Sequence, residues 1–409
     1  MATYCEAPSP SRRTLLRASG ALFAWAHLPR FAKAAGSRDP RLAVIILRGA
    51  LDGLSAVGPA GDPDYASLHG ALALSHSGDH PALPLDGFFA LNPAMQSFAR
   101  LFREGKAAVV HAVATPYRER SHFDGQDVLE SGYPSPGRTD SGWLNRALAS
   151  LPAGERLRGL GIGAVAPLVM RGPAPVLGWA PQALPQAGDD LARRVLDLYT
   201  HRDPALASAL REGLATEQMA SAAQLVGEAA RPSGGMRQAA AMRQTAMGAA
   251  RLMAADDGPR IAALAFDGFD THANEGGASG QLAARLLGLD GAFGEFERGL
   301  GEKWQDTVLI AITEFGRTAK INGTSGTDHG TGTVAFLAGG ALKGGRVIVD
   351  WPGLKEKQLY EGRDLAPTTD LRAVLKGLLA DHLGLSSSVL ATKVFPNSAS
   401  VKPLPGLIG

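Results

Sequence analysis

The hydrophobic residues of this chain fall into short continuous runs that are bounded by turn residues. Six runs of aliphatic and β-branched residues predict buried strands: Leu42–Leu47, Ala107–Val113, Ile261–Phe266, Thr307–Thr313, Val334–Ala338 and Arg346–Val349. Stretches with helical periodicity lie between several of them, over Leu91–Glu104, Gly280–Gly299 and Asp370–Leu383. Buried strands that alternate with helices are typical of a mainly parallel sheet sandwiched by helices. The pattern therefore predicts an α/β fold.

Residues 185–255 have a different pattern. They are rich in Ala, Gln, Met and Leu at helical spacing, and Pro232-Ser233-Gly234-Gly235 interrupts them. We interpret this stretch as a helical insertion or cap on a single domain that spans residues 35–409. No apolar run approaches the roughly 18–20 residues that a membrane-spanning helix needs. The sequence therefore predicts that the chain does not span a membrane.

The first residues have the pattern of an export signal. Ser11-Arg12-Arg13 is followed by two leucines and a base, then by a weakly apolar stretch, Ala18–Leu28, and by Ala32-Lys33-Ala34. This order predicts a twin-arginine signal peptide over residues 1–34. The alternative is a basic amphipathic helix that stays on the protein. With the signal, the twin-arginine translocase is a partner during export and the mature protein is periplasmic or secreted.

Charge and cysteine content exclude several kinds of function. The chain has 41 basic and 39 acidic residues, a net charge of +2, which gives no electrostatic reason to expect a nucleic acid partner. Its single cysteine, Cys5, lies inside the predicted signal peptide. We therefore expect a mature protein without disulfides, thiolate metal ligands or a cysteine nucleophile.

Unusual polar residues follow the predicted strands, where ligands bind in parallel sheets. After the first strand, Asp52 lies between glycines and is either a metal ligand or the cap of the next helix. After the second, Arg120-Ser121-His122 offers Ser121 as a nucleophile or anion-binding residue. The alternative there is a salt-bridged loop in which Ser121 caps a helix.

The later strands end in three more candidate sets. Asp270 and His272 follow the third strand and suit a metal clamp, although a lone histidine is commonly structural. Glu314 stands at the end of Thr307–Thr313. Arg317 could bind an anion, or could form a buried ion pair with a glutamate.

The last set, Asp328-His329, lies between glycines and is either a ligand pair or a turn. We expect His69, His76, His80 and His382 to face solvent and His111 to lie in the core. No glycine-rich phosphate loop, zinc-knuckle spacing or Gly-x-Ser-x-Gly motif is present in the sequence. A distributed set of Asp, Glu and His at strand ends favours one or two metal ions acting on an oxyanionic ester.

The motifs in this order resemble a known family, the bacterial domain of unknown function 1501, whose members often carry twin-arginine signals. They are Leu47–Gly53, Arg120–Asp124, Gly142–Arg146, Phe269–His272, Thr313–Thr318, Gly326–Gly330, Asp350–Leu354, Arg363–Leu365 and Thr369–Arg372. The resemblance covers about residues 40–390. Ala50 stands where the family usually has a second glycine.

That family is grouped with the alkaline phosphatase and sulfatase superfamily. The grouping implies an alkaline phosphatase-like fold and, in active members, two metal sites. By resemblance, Asp52 takes the role of an early metal-binding aspartate and Ser121 that of the nucleophile. Asp270 and His272 resemble a later Asp-His pair with shorter spacing. Glu314-Phe315 stands where the relatives have their second pair, which Asp328-His329 resembles some residues later.

Two hypotheses follow. The first is an exported hydrolase of a phosphate or sulfate ester, small or polymeric, that uses one or two ions of zinc, calcium or manganese. Its predicted metal ligands are Asp52, Asp270, His272, Glu314, Asp328 and His329. Ser121 would attack, and Arg120 or Arg317 would steady the oxyanion. The second is a non-catalytic envelope protein that keeps the fold and binds a sugar, a polymer or a protein.

Overall fold

The computed structural model describes residues 38–138, 140–152, 159–163, 165–180, 195–196, 199–200, 203–222 and 234–409. The described residues from Pro40 to Gly409 belong to one compact unit. The predicted signal peptide lies outside the described residues, so it stays a prediction, as does the start of the domain at residue 35. Among the described helices, none combines the length and apolar character needed to cross a bilayer.

The strands of the described residues are short and mostly buried. They are β1 (Arg41–Leu47), β2 (Val57–Gly58), β3 (Leu83–Pro84), β4 (Ala90–Leu91), β5 (Ala107–Ala114), β6 (Gly159–Ile162), β7 (Val176–Trp179), β8 (Ile261–Phe266), β9 (Thr307–Ile312), β10 (Thr333–Ala338), β11 (Arg346–Ile348) and β12 (Thr369–Asp370). The six strands predicted from the sequence are confirmed, each within one residue at either end. β6 and β7 were not predicted, because each has only four residues and contains glycine.

Nine of these strands form one sheet in the order β11-β5-β10-β9-β1-β8-β6-β7, with β12 paired to β5. β1 pairs in parallel with both β8 and β9, and among the described strands of this sheet only β10 runs antiparallel to its neighbours. β2, β4 and β3 form a separate small sheet. The predicted α/β class with a mainly parallel sheet is therefore confirmed.

Helices cover the sheet. They are α1 (Gly53–Ala56), α2 (Tyr65–His69), α3 (Gln96–Arg103), α4 (His122–Ser131), α5 (Trp143–Ser150), α6 (Pro204–Ala222), α7 (Gly234–Ala254), α8 (Gln281–Leu300), α9 (Leu371–Leu383) and α10 (Ser387–Val389). Two of the three predicted helices match closely. The third was predicted from Leu91, but α3 begins only at Gln96, because Ala90 and Leu91 form β4.

The core lies on both faces of the sheet. Alternate β1 residues pack on opposite sides, with Ile45 in one hydrophobic cluster and Val44 in the other, as the period of a strand requires. In the predicted helical stretch 185–255, the described segments include α6 and α7. Met242 and Met253 of α7 are buried in the first cluster, so α7 belongs to the layer that covers the sheet.

The register brings the loops that carry the candidate residues to one edge. β1, β8 and β9 are parallel neighbours, so the residues after Leu47, Phe266 and Ile312 emerge together. β10 runs the opposite way, and its first residue, Thr333, pairs with Val113 near the end of β5. The long segment from β9 to β10 therefore leaves and re-enters the sheet at this same edge.

Candidate metal centre

Three histidines and one aspartate meet at this edge of the sheet. His122 is the first residue of α4, Asp270 and His272 follow β8, and His329 lies in the segment from β9 to β10. We call these four residues the His–Asp cluster. His122 begins a helix that follows a strand, and the other three lie in segments after strands, as the sequence analysis expects for Asp270, His272 and His329.

The nitrogen and oxygen atoms of the cluster lie close together. Asp270 Oδ1 is 3.0 Å from His272 Nε2 and 3.3 Å from His329 Nε2, and Asp270 Oδ2 is 3.4 Å from His122 Nε2. The Nε2 atoms of His272 and His329 are 3.0 Å apart. One ligand atom from each of His122, Asp270 and His329 lies within 4.8 Å of the other two.

His329 is held by a backbone carbonyl. Its Nδ1 lies 2.9 Å from the carbonyl oxygen of Arg120, which can only accept, so Nδ1 carries the proton and Nε2 keeps a lone pair. Arg120 has a φ of 60°, a left-handed conformation that is unusual outside glycine. This conformation directs the Arg120 carbonyl at the imidazole.

His122 is oriented by a buried carboxylate. Its Nδ1 lies 2.8 Å from Glu314 Oε1, so Nδ1 donates and Nε2 faces the cluster, buried and without a hydrogen-bond partner among the described residues. Glu314 is fully buried, and its Oε1 also accepts from the Gly49 N–H at 2.9 Å. Thr313 Oγ1 donates to Glu314 Oε2 at 2.8 Å. These hydrogen bonds hold the Glu314 carboxylate in place, and the carboxylate in turn fixes the orientation of the His122 ring.

His272 also has a carboxylate partner at Nδ1, but this carboxylate is more exposed than that of Glu314. Its Nδ1 lies 3.3 Å from Asp328 Oδ1, which also accepts from Asn322 Nδ2 at 3.1 Å. The side chains of His272 and Asp328 are 43% and 55% exposed. This partner therefore also leaves Nε2 as the nitrogen with a lone pair.

The cluster fits a divalent metal ion. Three Nε2 lone pairs and a carboxylate converge with no donor hydrogen between them, which is unfavourable unless a proton or a cation lies among them. Tetrahedral ligands with bonds of about 2.0–2.1 Å to zinc lie about 3.3 Å apart, close to the separations found here. In metal sites, the second nitrogen of a ligating histidine is commonly held by a carboxylate or a carbonyl, as it is in all three here.

Charges in the site shift several pKa values. The hydrogen bond to Glu314 raises the pKa of His122 despite partial burial. Burial and the nearby His122 lower the pKa of His329. Burial alone would raise the pKa of Glu314, but the bonds from His122 and backbone amides outweigh it and lower that pKa. The same balance holds for Asp270, whose pKa is lowered chiefly by Arg317.

Arg317 lies behind the cluster. Its guanidinium is fully buried and donates from one terminal nitrogen to Asp270 Oδ1 at 2.6 Å. Nε donates to Thr327 Oγ1 at 3.2 Å, and the other terminal nitrogen donates to the Thr327 carbonyl. All of these hydrogen bonds go to protein groups, and the one to Asp270 holds that carboxylate in position.

Gly49 allows the backbone to approach Asp270. Its φ is 116°, and a Cβ on it would lie 2.4 Å from the Asp270 nitrogen. The next residue, Ala50, has a φ of 60°. This left-handed conformation gives a physical reason for the glycine that the resembling family usually has there.

The remaining predicted site residues lie around the cluster. Asp52 is the N-cap of α1: its Oδ1 accepts from the backbone N–H groups of Leu54 and Ser55, and it is 1% exposed. The Arg120 side chain pairs with Asp364 and Glu361, so its carbonyl is the part that contacts the cluster. Ser121 is the N-cap residue of α4, next to His122, and its side chain makes no capping hydrogen bond.

Sequence reasoning does not identify His122 as a member of the cluster. Its position at a strand-to-helix connection, beside Ser121, is the signal that could have identified it. The prediction that His69 and His382 face solvent is wrong, because these residues are only 0% and 7% exposed. His69 Nε2 is hydrogen-bonded to Ser55 Oγ, and His382 Nε2 to the backbone carbonyl of Arg41. His111 is in the core as predicted, and His76 and His80 are exposed.

No curated protein matches this chain. Similar solved structures include a sulfatase from Pseudoalteromonas sp. (13% identity, 83% of this chain and 68% of that one, TM-score 0.34). A phosphonate monoester hydrolase of Agrobacterium radiobacter has 13% identity, 85% and 74% coverage and a TM-score of 0.31. A protein in the alkaline phosphatase superfamily from Vibrio parahaemolyticus has 13% identity, 74% and 60% coverage and a TM-score of 0.29. At these TM-scores the likenesses say nothing about a reaction.

One family, described as protein of unknown function (DUF1501), matches the chain over residues 105–394. The matched segment includes His122, Asp270, His272 and His329, and so the whole His–Asp cluster. Since it spans well over half of the 409 residues, this chain belongs to the DUF1501 family.

Proposed function

We propose that this protein is an exported metal-dependent hydrolase of a phosphate or sulfate ester. His122, Asp270 and His329 are the proposed ligands of one divalent ion, with His272 beside them. The observation that carries the proposal is the orientation of three imidazoles, each with Nδ1 on an acceptor and Nε2 toward Asp270. Imidazole and carboxylate ligands favour zinc over calcium, which prefers oxygen alone.

Three protein ligands that leave a further position open are typical of catalytic metal sites. A divalent ion held there would polarise an oxygen of the bound ester. Glu314 and Asp328, which the sequence analysis predicts as ligands, are proposed instead to orient His122 and His272 through hydrogen bonds to Nδ1. Asp52 stabilises the buried region behind Arg317.

Ser121 is the proposed nucleophile. It precedes His122 at the N-terminus of α4, a helix of ten residues, whose partial positive charge favours an anionic group beside it. Its Oγ would bond to the phosphorus or sulfur as the bond to the ester oxygen breaks, and the Oγ proton would pass by way of His272 to that oxygen, which leaves as the alcohol. Water would then add its OH to the phosphorus or sulfur and its remaining hydrogen to the serine oxygen, which releases the acid and restores the serine.

Export is proposed on the Arg12-Arg13 segment alone, which lies outside the described residues. The twin-arginine translocase carries folded cargo, so the metal centre would be complete before transport. The expected location of the mature protein is the periplasm or the exterior.

The test combines metal analysis with hydrolysis of 4-nitrophenyl phosphate and 4-nitrophenyl sulfate. We expect stoichiometric metal in the wild type and in Ser121→Ala, loss of metal in His329→Ala, and loss of turnover by orders of magnitude in both variants. Phe123→Ala is the matched control on α4, because Phe123 is 89% exposed and distinct from the ligand set. A protein that holds no metal refutes the metal centre. A loaded protein that cleaves neither ester refutes the hydrolase and favours the non-catalytic binding protein.

A further inference from the structure

A buried polar group lies behind the metal centre, and the proposed reaction does not use it. Asp52, Glu275 and Thr327 are at most 1% exposed. Thr327 Oγ1 lies 3.1 Å from Asp52 Oδ2, 2.8 Å from Glu275 Oε2 and 3.2 Å from Arg317 Nε. One hydroxyl therefore contacts two carboxyl groups and one N–H donor.

Counting hydrogens assigns a proton to this group. The Thr327 hydroxyl has one hydrogen, which it can donate to only one of the two carboxyl groups. The second contact between oxygens needs another hydrogen, because two buried acceptors facing each other are unfavourable. If the second carboxyl is neutral, it donates to Thr327 Oγ1, and every contact of that hydroxyl is satisfied.

The surroundings decide which carboxyl is neutral. Asp52 Oδ1 accepts two backbone N–H bonds, from Leu54 at 2.9 Å and Ser55 at 3.0 Å, and these favour the ionised form. Glu275 Oε1 is buried and has no hydrogen-bond partner among the described residues. The proton therefore belongs on Glu275.

Thr327 connects this pair to the metal centre. Its hydroxyl and its carbonyl both accept from Arg317, whose other terminal nitrogen donates to Asp270 Oδ1. Each link in the path is buried until Asp270 itself, whose side chain is 42% exposed. The orientation of Asp270 thus depends on Arg317, and that of Arg317 on Thr327.

We propose that Glu275 is a positioning residue: as a neutral acid paired with ionised Asp52, it fixes Thr327 and Arg317 and so holds Asp270 in place for the metal. This inference rests on the metal centre proposed above, but it concerns residues outside the ligand set. It assigns Glu275 a role through charge and hydrogen bonding, not through contact with a substrate.

The charged and titratable groups facing Glu275 support a neutral form. Burial, with Asp52 as the next cause, raises the pKa of Glu275 to about 9. His69 faces the Asp52 side of the pair: its Nε2 lies 2.8 Å from Ser55 Oγ and 3.7 Å from Asp52 Oδ2, and its Nδ1 lies 2.9 Å from the Ala319 carbonyl oxygen. Tyr65 also lies near both acids, and Arg317 is the cation that contacts Thr327.

The experiment measures zinc affinity, by competition with a chelator, at pH 7 and pH 9.5 for the wild type, Glu275→Gln and Glu275→Ala. At pH 7 we expect Glu275→Gln to stay within about threefold of the wild type, because its amide also donates to Thr327. Glu275→Ala should bind about 10-fold more weakly or worse, in the range found for supporting residues. At pH 9.5 the zinc affinity of the wild type should fall relative to that of Glu275→Gln.

Asp290→Asn is the matched control, since Asp290 is another buried carboxyl with a raised pKa, and it accepts hydrogen bonds from the backbone amides of Ser97 and Phe98.

A charge requirement at residue 275 would make Glu275→Gln as weak as Glu275→Ala at pH 7, which overturns the proposal. A ratio of zinc affinities between the wild type and Glu275→Gln that is the same at both pH values also overturns it.

If no variant binds zinc, the proposed function fails, and the melting temperature measured in chelator still tests the role of Glu275. Its raised pKa stabilises the fold fully below about pH 4.5, and that contribution is lost as the pH rises toward 9. The melting temperature of the wild type should therefore fall relative to Glu275→Gln over that range, and a flat difference refutes the neutral acid.

Discussion

Replacing Glu314 by Gln tests the orientation of His122 with little change in shape. The amide oxygen can still accept from Gly49 and His122 where Glu314 Oε1 does now, at 2.9 and 2.8 Å. What disappears is the negative charge opposite Nδ1. A hydrogen bond to a charged group contributes about 1.5–3 kcal/mol and a neutral one about 0.5–1.5 kcal/mol. The difference of about 1–1.5 kcal/mol corresponds to roughly 10-fold in metal affinity.

The assay is a zinc titration against a chelator of known affinity, with circular dichroism to confirm folding. We expect Glu314→Gln to bind zinc about 10-fold more weakly, toward the low end of the range for residues that support metal ligands. Glu130→Gln is the matched control. Glu130 is also buried on α4, but it bonds to Arg48 and to the Val169 amide and not to the cluster. Equal zinc affinities for Glu314→Gln and the wild type, or equal losses in both variants, would refute the orienting role of Glu314.

Four further predictions concern the backbone and the pH dependence. Gly49→Ala should lose zinc and lower the melting temperature, because the added Cβ would lie 2.4 Å from the Asp270 nitrogen; a loaded, stable variant would contradict this. Ala50→Gly should change the free energy of unfolding by less than about 1 kcal/mol, since relief of the left-handed strain offsets the buried methyl group, whereas Ala50→Val should cost more than about 2 kcal/mol in denaturant titrations. In chelator, the raised pKa of His122 means that its pair with Glu314 stabilises the fold fully below about pH 6.5, with loss as the pH rises through the folded pKa; Glu314→Gln should remove that dependence of the melting temperature. Zinc binding should release a proton in the same range, because the ligand must be neutral, and calorimetry in two buffers measures it.

The sequence predicts the sheet well because its buried strands are continuous apolar runs. Val44 and Ile45 face opposite sides of the sheet, so both are buried and the signal is strong. The antiparallel direction of β10 could not be predicted, since strand direction depends on the path of the loop before it and not on strand composition. β6 and β7 were too short and too rich in glycine to stand out.

The candidate site was predicted in location but only partly in detail. Residues after strands do converge, and Asp270, His272 and His329 lie in the cluster. Which of two neighbouring side chains points inward depends on side-chain geometry, so the sequence alone does not single out His122. Glu314 and Asp52 show the same limit: a carboxylate at a strand end can bind a metal, orient a histidine or cap a helix. Only the positions of its neighbours distinguish these roles.

The convergence of distant segments on Asp270 has a consequence for biosynthesis. His122 leaves the ribosome some 150 residues before Asp270, and His329 follows 59 residues after Asp270. A nascent chain whose His329 has not yet left the ribosome therefore has only part of the proposed ligand set, even if its early strands have already paired. Ion capture would mark the completion of the domain, so a cell could load this protein only after synthesis of nearly the whole chain.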